Sequence, residues 1–111
     1  MRMSTFDERE QAFEAVYARE ADRRFRRDAR RNRLLGEWGA GLLGLDGKAA
    51  QDFVKKVMRA DFEPQGEKAV LALLADALEG HVGPDEIAER AGAFEDAARR
   101  DLGEDDSDLP S

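Results

Sequence analysis

From Leu35 onward the apolar residues recur at spacings of three and four. Leu35, Trp38, Leu42 and Leu45 therefore share one face of a helix. Gly36, Ala40 and Gly44 lie four apart beside that stripe, where a missing side chain lets a second helix come close. The segment Ala29 to Gly44, ARRNRLLGEWGAGLLG, reads as the buried centre of a helical bundle. Leu45-Asp46-Gly47 reads as a turn with Asp46 as the N-cap of a helix whose face is Ala50, Phe53, Val54, Val57 and Met58, ending about Ala60. The stretch Phe62-Glu63-Pro64-Gln65-Gly66 breaks the pattern. A third helix is predicted from about Glu67 to Leu78, with Val70, Leu71, Leu74, Ala77 and Leu78 inward and Gly80 as its stop. Gly83-Pro84-Asp85-Glu86 then starts a last helix, because proline fits the first turn and acids suit the positive end of the dipole. Its stripe is Ile87, Ala91, Phe94, Ala98 and Leu102. Leu35, Trp38, Leu42, Phe53, Val57, Leu74 and Phe94 are the expected core.

The N-terminal third reads differently. Thr5 followed by Glu8 fits a capping box, and Asp7, Glu8 and Glu10 put acids in a first turn, so a helix should start near Phe6. Phe6, Phe13, Val16, Tyr17, Ala21 and Phe25 form a thin apolar stripe on an otherwise charged segment. Continued to Arg33, this helix would be roughly 42 Å long, more than a small bundle can cover. Its first part is expected to project from the bundle or fray. Such an amphipathic arm suits a groove on another protein, and the competing expectation is that Phe13 and Tyr17 fold back onto the bundle. Residues 1–20 are thus read as a partner-binding arm, 21–102 as the bundle and 103–111, GEDDSDLPS, as a disordered acidic tail.

Charge sharpens this division. Through Arg33 there are ten Arg against seven acids, and from Leu34 onward eight Lys or Arg against eighteen acids, which together give the net −7. A basic arm precedes an acidic body. Arg19, Arg23, Arg24, Arg26, Arg27, Arg30, Arg31 and Arg33 invite a nucleic-acid reading. Glu20, Asp22 and Asp28 lie among them at ion-pairing distances, and the whole chain is acidic, so a solvated or protein-facing basic surface is the preferred reading and nucleic acid is not expected.

The remaining chemistry is sparse. GAGLLG, Gly39 to Gly44, matches the dinucleotide pattern G-x-G-x-x-G in letters, but no strand precedes it, so the glycines are read as helix packing and a helix end. His81, the one histidine, falls in a loop without metal-ligand spacing, and Glu104-Asp105-Asp106 lacks the glycine and spaced ligands of a calcium loop. With no cysteine and no phosphate loop, neither catalysis nor a cofactor is expected. No apolar run reaches the roughly 20 residues of a membrane span, and no signal peptide is evident. An all-α, soluble, cytoplasmic protein, monomeric when free, is the expectation.

Three stretches carry a family resemblance: STFDERE at Ser4 to Glu10, ARRNRLLGEWGAGLLG at Ala29 to Gly44, and ADFEPQG at Ala60 to Gly66. Together they resemble the zeta subunit, the ATPase inhibitor subunit, of α-proteobacterial F-type ATP synthases, over nearly the whole chain. Val16 stands where a lysine is common in that family and Arg19 where a histidine is common. The resemblance implies a four-helix bundle whose N-terminal segment enters a catalytic α/β interface and meets the γ stalk, blocking ATP hydrolysis from a place peripheral to the membrane. The matching inhibitory positions are Thr5, Phe6, Asp7, Glu8, Arg9 and Glu10, continuing through Phe13, Glu14 and Ala15. Phe6, Phe13 and Tyr17 would be the apolar anchors. The alternatives are a helical adaptor for another protein partner, using its bundle faces, or a weak ATP- or ADP-binding regulator.

Overall fold

Four helices follow one another: α1 Ser4–Leu42, α2 Gly47–Ala60, α3 Glu67–Ala77 and α4 Pro84–Asp101. The computed structural model describes residues 4–103, with side chains from Ala18 onward, and no strand occurs among the described residues. α1 packs against α2 and α4, and α3 closes the ring by packing against the same two. The chain is therefore an all-α four-helix bundle. The arginine-rich N-terminal stretch and the Leu35 to Leu42 stretch form one helix of 39 residues, roughly 58 Å long. The molecule measures 65 × 35 × 27 Å, so α1 is about as long as the whole structure. α4 runs antiparallel to α1: Phe94 meets Trp38 edge-on, while Asp101 reaches back to Arg30.

Glycine sets how closely α1 and α2 approach. A Cβ on Gly36 would lie 2.9 Å from the Val54 Cα, and one on Gly39 would lie 2.9 Å from the Phe53 ring. Gly44 does not belong to this packing stripe, a correction to the reading above, for a Cβ there would meet nothing within 4 Å. It ends the helix instead. With φ at +72° it takes the left-handed conformation, its N–H donates to the Gly41 carbonyl at 3.1 Å, and the Leu45 N–H donates to the Ala40 carbonyl at 2.9 Å. These two bonds are the Schellman pair that satisfies a helix's last carbonyls. Gly36→Ala should lower stability by about 1–2 kcal/mol, because backbone crowding outweighs the gain in helix propensity. Gly41→Ala, in the same helix and in open space, should raise it by up to about 1 kcal/mol. Urea midpoints of the two variants that shift in the same direction would contradict this account.

The turns follow the local chemistry. Asp46 is the extended N-cap residue of α2, but its side chain makes no capping hydrogen bond. Gly66 (φ +57°) leads into α3, and Gly80 (φ +90°) lies in the turn after it. Pro84 occupies the first turn of α4, followed by Asp85 and Glu86. Leu35, Val57, Ala60, Val70, Leu74, Leu78, Ile87 and Ala91 form the buried core, with Trp38, Leu42, Phe53 and Phe94 packed at its margin. Leu102 departs from its expected inward place. It caps α4 and is 37% exposed, since what α1 presents at that level is Arg30, paired with Asp101.

Candidate partner-binding helix and its root in the bundle

The backbone of α1 is helical from Ser4, so Thr5, Phe6, Asp7, Glu8, Arg9, Glu10, Phe13, Glu14 and Tyr17 all lie on its first turns. Their side chains fall outside the described residues, as do the Thr5 to Glu8 capping box and the folding back of Phe13 and Tyr17. The acidic stretch from Glu104 lies outside them too. From Ala18 to Arg26 every side chain is exposed. Burial begins with the next residues, Arg27, Asp28 and Ala29, which are half-buried. Phe25, 56% exposed, meets Phe62, 73% exposed, from the loop after α2, with ring centroids 6.2 Å apart. Two large apolar side chains thus stand in solvent where α1 leaves the bundle.

Just below them the arginine run enters the interior. The Arg31 side chain is only 4% exposed. Its Nη1 donates to Glu95 Oε1 of α4 at 3.1 Å and stands 3.8 Å from Asp28 Oδ1 and 3.7 Å from Glu67 Oε2 at the start of α3. Its Nε donates to Oδ1 of the buried Asn32 at 3.1 Å. Arg99 Nη2 holds the other Glu95 oxygen at 3.1 Å. One guanidinium therefore ties α1, α3 and α4 together, which its planar set of five donors permits and a lysine ammonium would not. Burial pushes the Asp28 carboxyl above its usual value, against the opposing pull of Arg31, and the nearby Asp61 and Glu95 charges add to the rise.

Of the other arginines in the run, Arg27 is half-buried and the rest are exposed. Arg26 pairs with Asp22, Arg33 with Glu37 at 3.5 Å, and Arg30 with Asp101 at 3.1 Å. Such exposed pairs contribute little individually. The run is thus not uniformly solvated, since Arg31 is a structural centre. The periodic stripe carried the signal for it: Arg31 lies four residues before Leu35 and seven before Trp38, so the core face extended toward the N-terminus lands on it. Arg90 stacks over the Trp38 ring at 5.3 Å, a cation–π contact the spacing alone did not indicate.

The letters of GAGLLG sit inside α1 and at its C-terminal end, with Gly39 against Phe53. His81 is exposed in the turn before α4. Among the described residues no group of His, Cys, Asp or Glu is arranged to hold a metal ion, and no helix is long and apolar enough to cross a membrane. A shallow groove of about 580 Å³ runs between α1 and α2, lined by Arg33, Ala40, Val54, Lys55 and Met58 among others. What distinguishes the molecule is the long helix and the charged knot at its root.

Neither the curated proteins nor the solved structures contain a match to this chain. A family model does match, over residues 3–101, so that the long α1 and all three helices behind it fall within the match, and the chain belongs to the family of the ATPase inhibitor subunit zeta.

Proposed function

We propose that the protein inhibits ATP hydrolysis by an F-type ATP synthase by inserting the N-terminal part of α1 into a catalytic α/β interface close to the γ stalk. The observation that carries this reading is that α1 continues as helix to Ser4 while its side chains from Ala18 to Arg26 are all exposed. In an inhibitor family, a helix standing clear of its own bundle is the element free to enter a partner. Residues 1–20 act as the arm and 21–102 as the bundle that holds its base. The protein itself is not a catalyst, and it acts at the cytoplasmic face, peripheral to the membrane. A helix that is marginal alone becomes ordered between closing subunits. Binding one rotary state in preference to the others traps the motor there.

The test is ATP hydrolysis by the purified catalytic sector of the ATP synthase from the same organism. The full-length protein should inhibit it, and a version starting at Ala21 should not, although both give the circular dichroism of a folded helical protein. Equal inhibition by the two would move the function into the bundle. Inhibition by neither would make the chain an adaptor for another partner.

A further inference from the structure

The two helices that pack on α1 both run against it. α2 is antiparallel, since Gly39 lies against Phe53 near one end of the pair and Phe25 meets Phe62 at the other. α4 is antiparallel too, with Trp38 against Phe94 and Arg30 against Asp101. Both therefore end near the level where α1 leaves the bundle, so the loop after α2 and the last turn of α4 form an end face beside the root of the arm. Among the described side chains three large hydrophobic residues are exposed: Phe25, Phe62 and Leu102. All three belong to this end. The two phenylalanine rings, with centroids 6.2 Å apart, rest on each other, and neither belongs to the buried core or to the residues packed at its margin.

We propose that Phe25, Phe62 and Leu102 form a second docking surface, which presses against an apolar shelf of the α or β subunit at the mouth of the interface that takes the arm. The inference rests on the function proposed above and adds a contact to it. Two observations choose this occupant. The first is position. Phe25 lies five residues past Glu20, where the arm ends, which is roughly 8 Å along the helix axis. That is less than the width of one helix, about 10–12 Å, so subunits that enclose residues 1–20 reach the end face of the bundle. The second is segregation. Exposed hydrophobic residues scattered singly over a surface carry no message, but three gathered at the exit of a partner-binding helix mark a contact. Because Phe25 and Phe62 already hold each other in place, little side-chain freedom is lost when a partner covers them.

The test compares three full-length proteins on the purified catalytic sector: the wild type, the double variant Phe62→Ser with Leu102→Ser, and a chain with a photoreactive benzophenone side chain in place of Phe62. Neither position lies on α1 or in the core, so thermal unfolding of the double variant should match the wild type. Its concentration for half-inhibition should rise about tenfold. On illumination the benzophenone should join the chain to an α or β subunit. Equal potency of double variant and wild type overturns the proposal. So does a loss of potency without a cross-link to either subunit, which would mean that Phe62 acts only by bracing Phe25 and the arm. A cross-link within the chain or to a second copy gives the surface to another occupant and overturns it as well. If the wild type leaves hydrolysis untouched, the proposed function fails and this inference with it. If the wild type inhibits and the version starting at Ala21 does not, a negative result at Phe62 and Leu102 removes the second surface alone.

Discussion

Arg31→Ala should destabilise the bundle by about 2–3 kcal/mol at neutral pH, a large share of the roughly 5–15 kcal/mol that holds a small domain together. Removing one partner of a buried ionic cluster leaves the others without compensation. Here Asp28 and Glu95 would lose their buried cation, Glu95 keeping only Arg99, while the exposed Glu67 would lose a weaker contact and Asn32 the donor to its Oδ1. The effect stays below the upper range for such clusters because the Asp28 and Glu95 side chains are 28% and 31% exposed, and water can reach them. Arg31→Lys should recover only part of the loss, since an ammonium cannot serve Asn32 and Glu95 from two fixed nitrogens. The deficit should also depend on pH in a definite direction. Burial already raises Asp28 above 3.8, while Arg31 holds it down. The folded chain therefore already binds a proton at Asp28 more readily than the unfolded one, and in the alanine variant, with that restraint gone, it does so more readily still. A raised carboxylate contributes stability as pH falls through its folded value toward 3.8. The gap between wild type and variant should therefore narrow on acidification. Urea unfolding of both proteins from neutral to mildly acidic pH measures it, and a gap that widens toward acid would refute this account of the cluster.

That cluster also marks where reading the sequence by polarity stops working. The helices and their ends were legible because glycine and proline act through the backbone: Gly80 and Pro84 punctuate the chain whatever surrounds them. The inward faces of α2 and α3 were legible for a related reason, as Val57, Val70 and Leu74 have nowhere to go but the core. Arg31 defeats this logic because its burial depends on carboxylates more than 35 residues away in the chain, supplied by α3 and α4. Periodicity placed it on the core face and polarity placed it on the surface; the tertiary partners decided between them. Gly44 and Leu102 erred for a different reason. Both continue a helical stripe on paper, yet each lies beyond the last helical residue, where the stripe no longer has a geometric meaning. Phe62 lies in the sequence break after α2 and gains its partner Phe25 only because α1 runs past that loop.

Replacing both Phe13 and Tyr17 by alanine should raise the concentration needed for half-inhibition of ATP hydrolysis by about a hundredfold or more. Phe6, Phe13 and Tyr17 follow one another at i, i+7 and i+11, so on the helical backbone that begins at Ser4 they share a face. On the proposed reading this face is the one a partner's groove receives. The flanking Asp7, Glu8, Arg9, Glu10 and Glu14 set orientation and contribute less to affinity. Buried aromatic anchors at the centre of an interface typically cost about 2 kcal/mol or more each when truncated, and every 1.4 kcal/mol is tenfold in affinity. The bundle should not notice the change, because its core draws on Leu35 and on residues after it. Thermal unfolding should therefore coincide for wild type and double variant, while the inhibition curves separate. Stability and inhibition respond to different ends of α1: Arg31→Ala weakens the bundle at the root, and Phe13→Ala with Tyr17→Ala weakens the grip at the tip. A double variant that inhibits as well as the wild type would show that the apolar face of the arm is not what the partner holds.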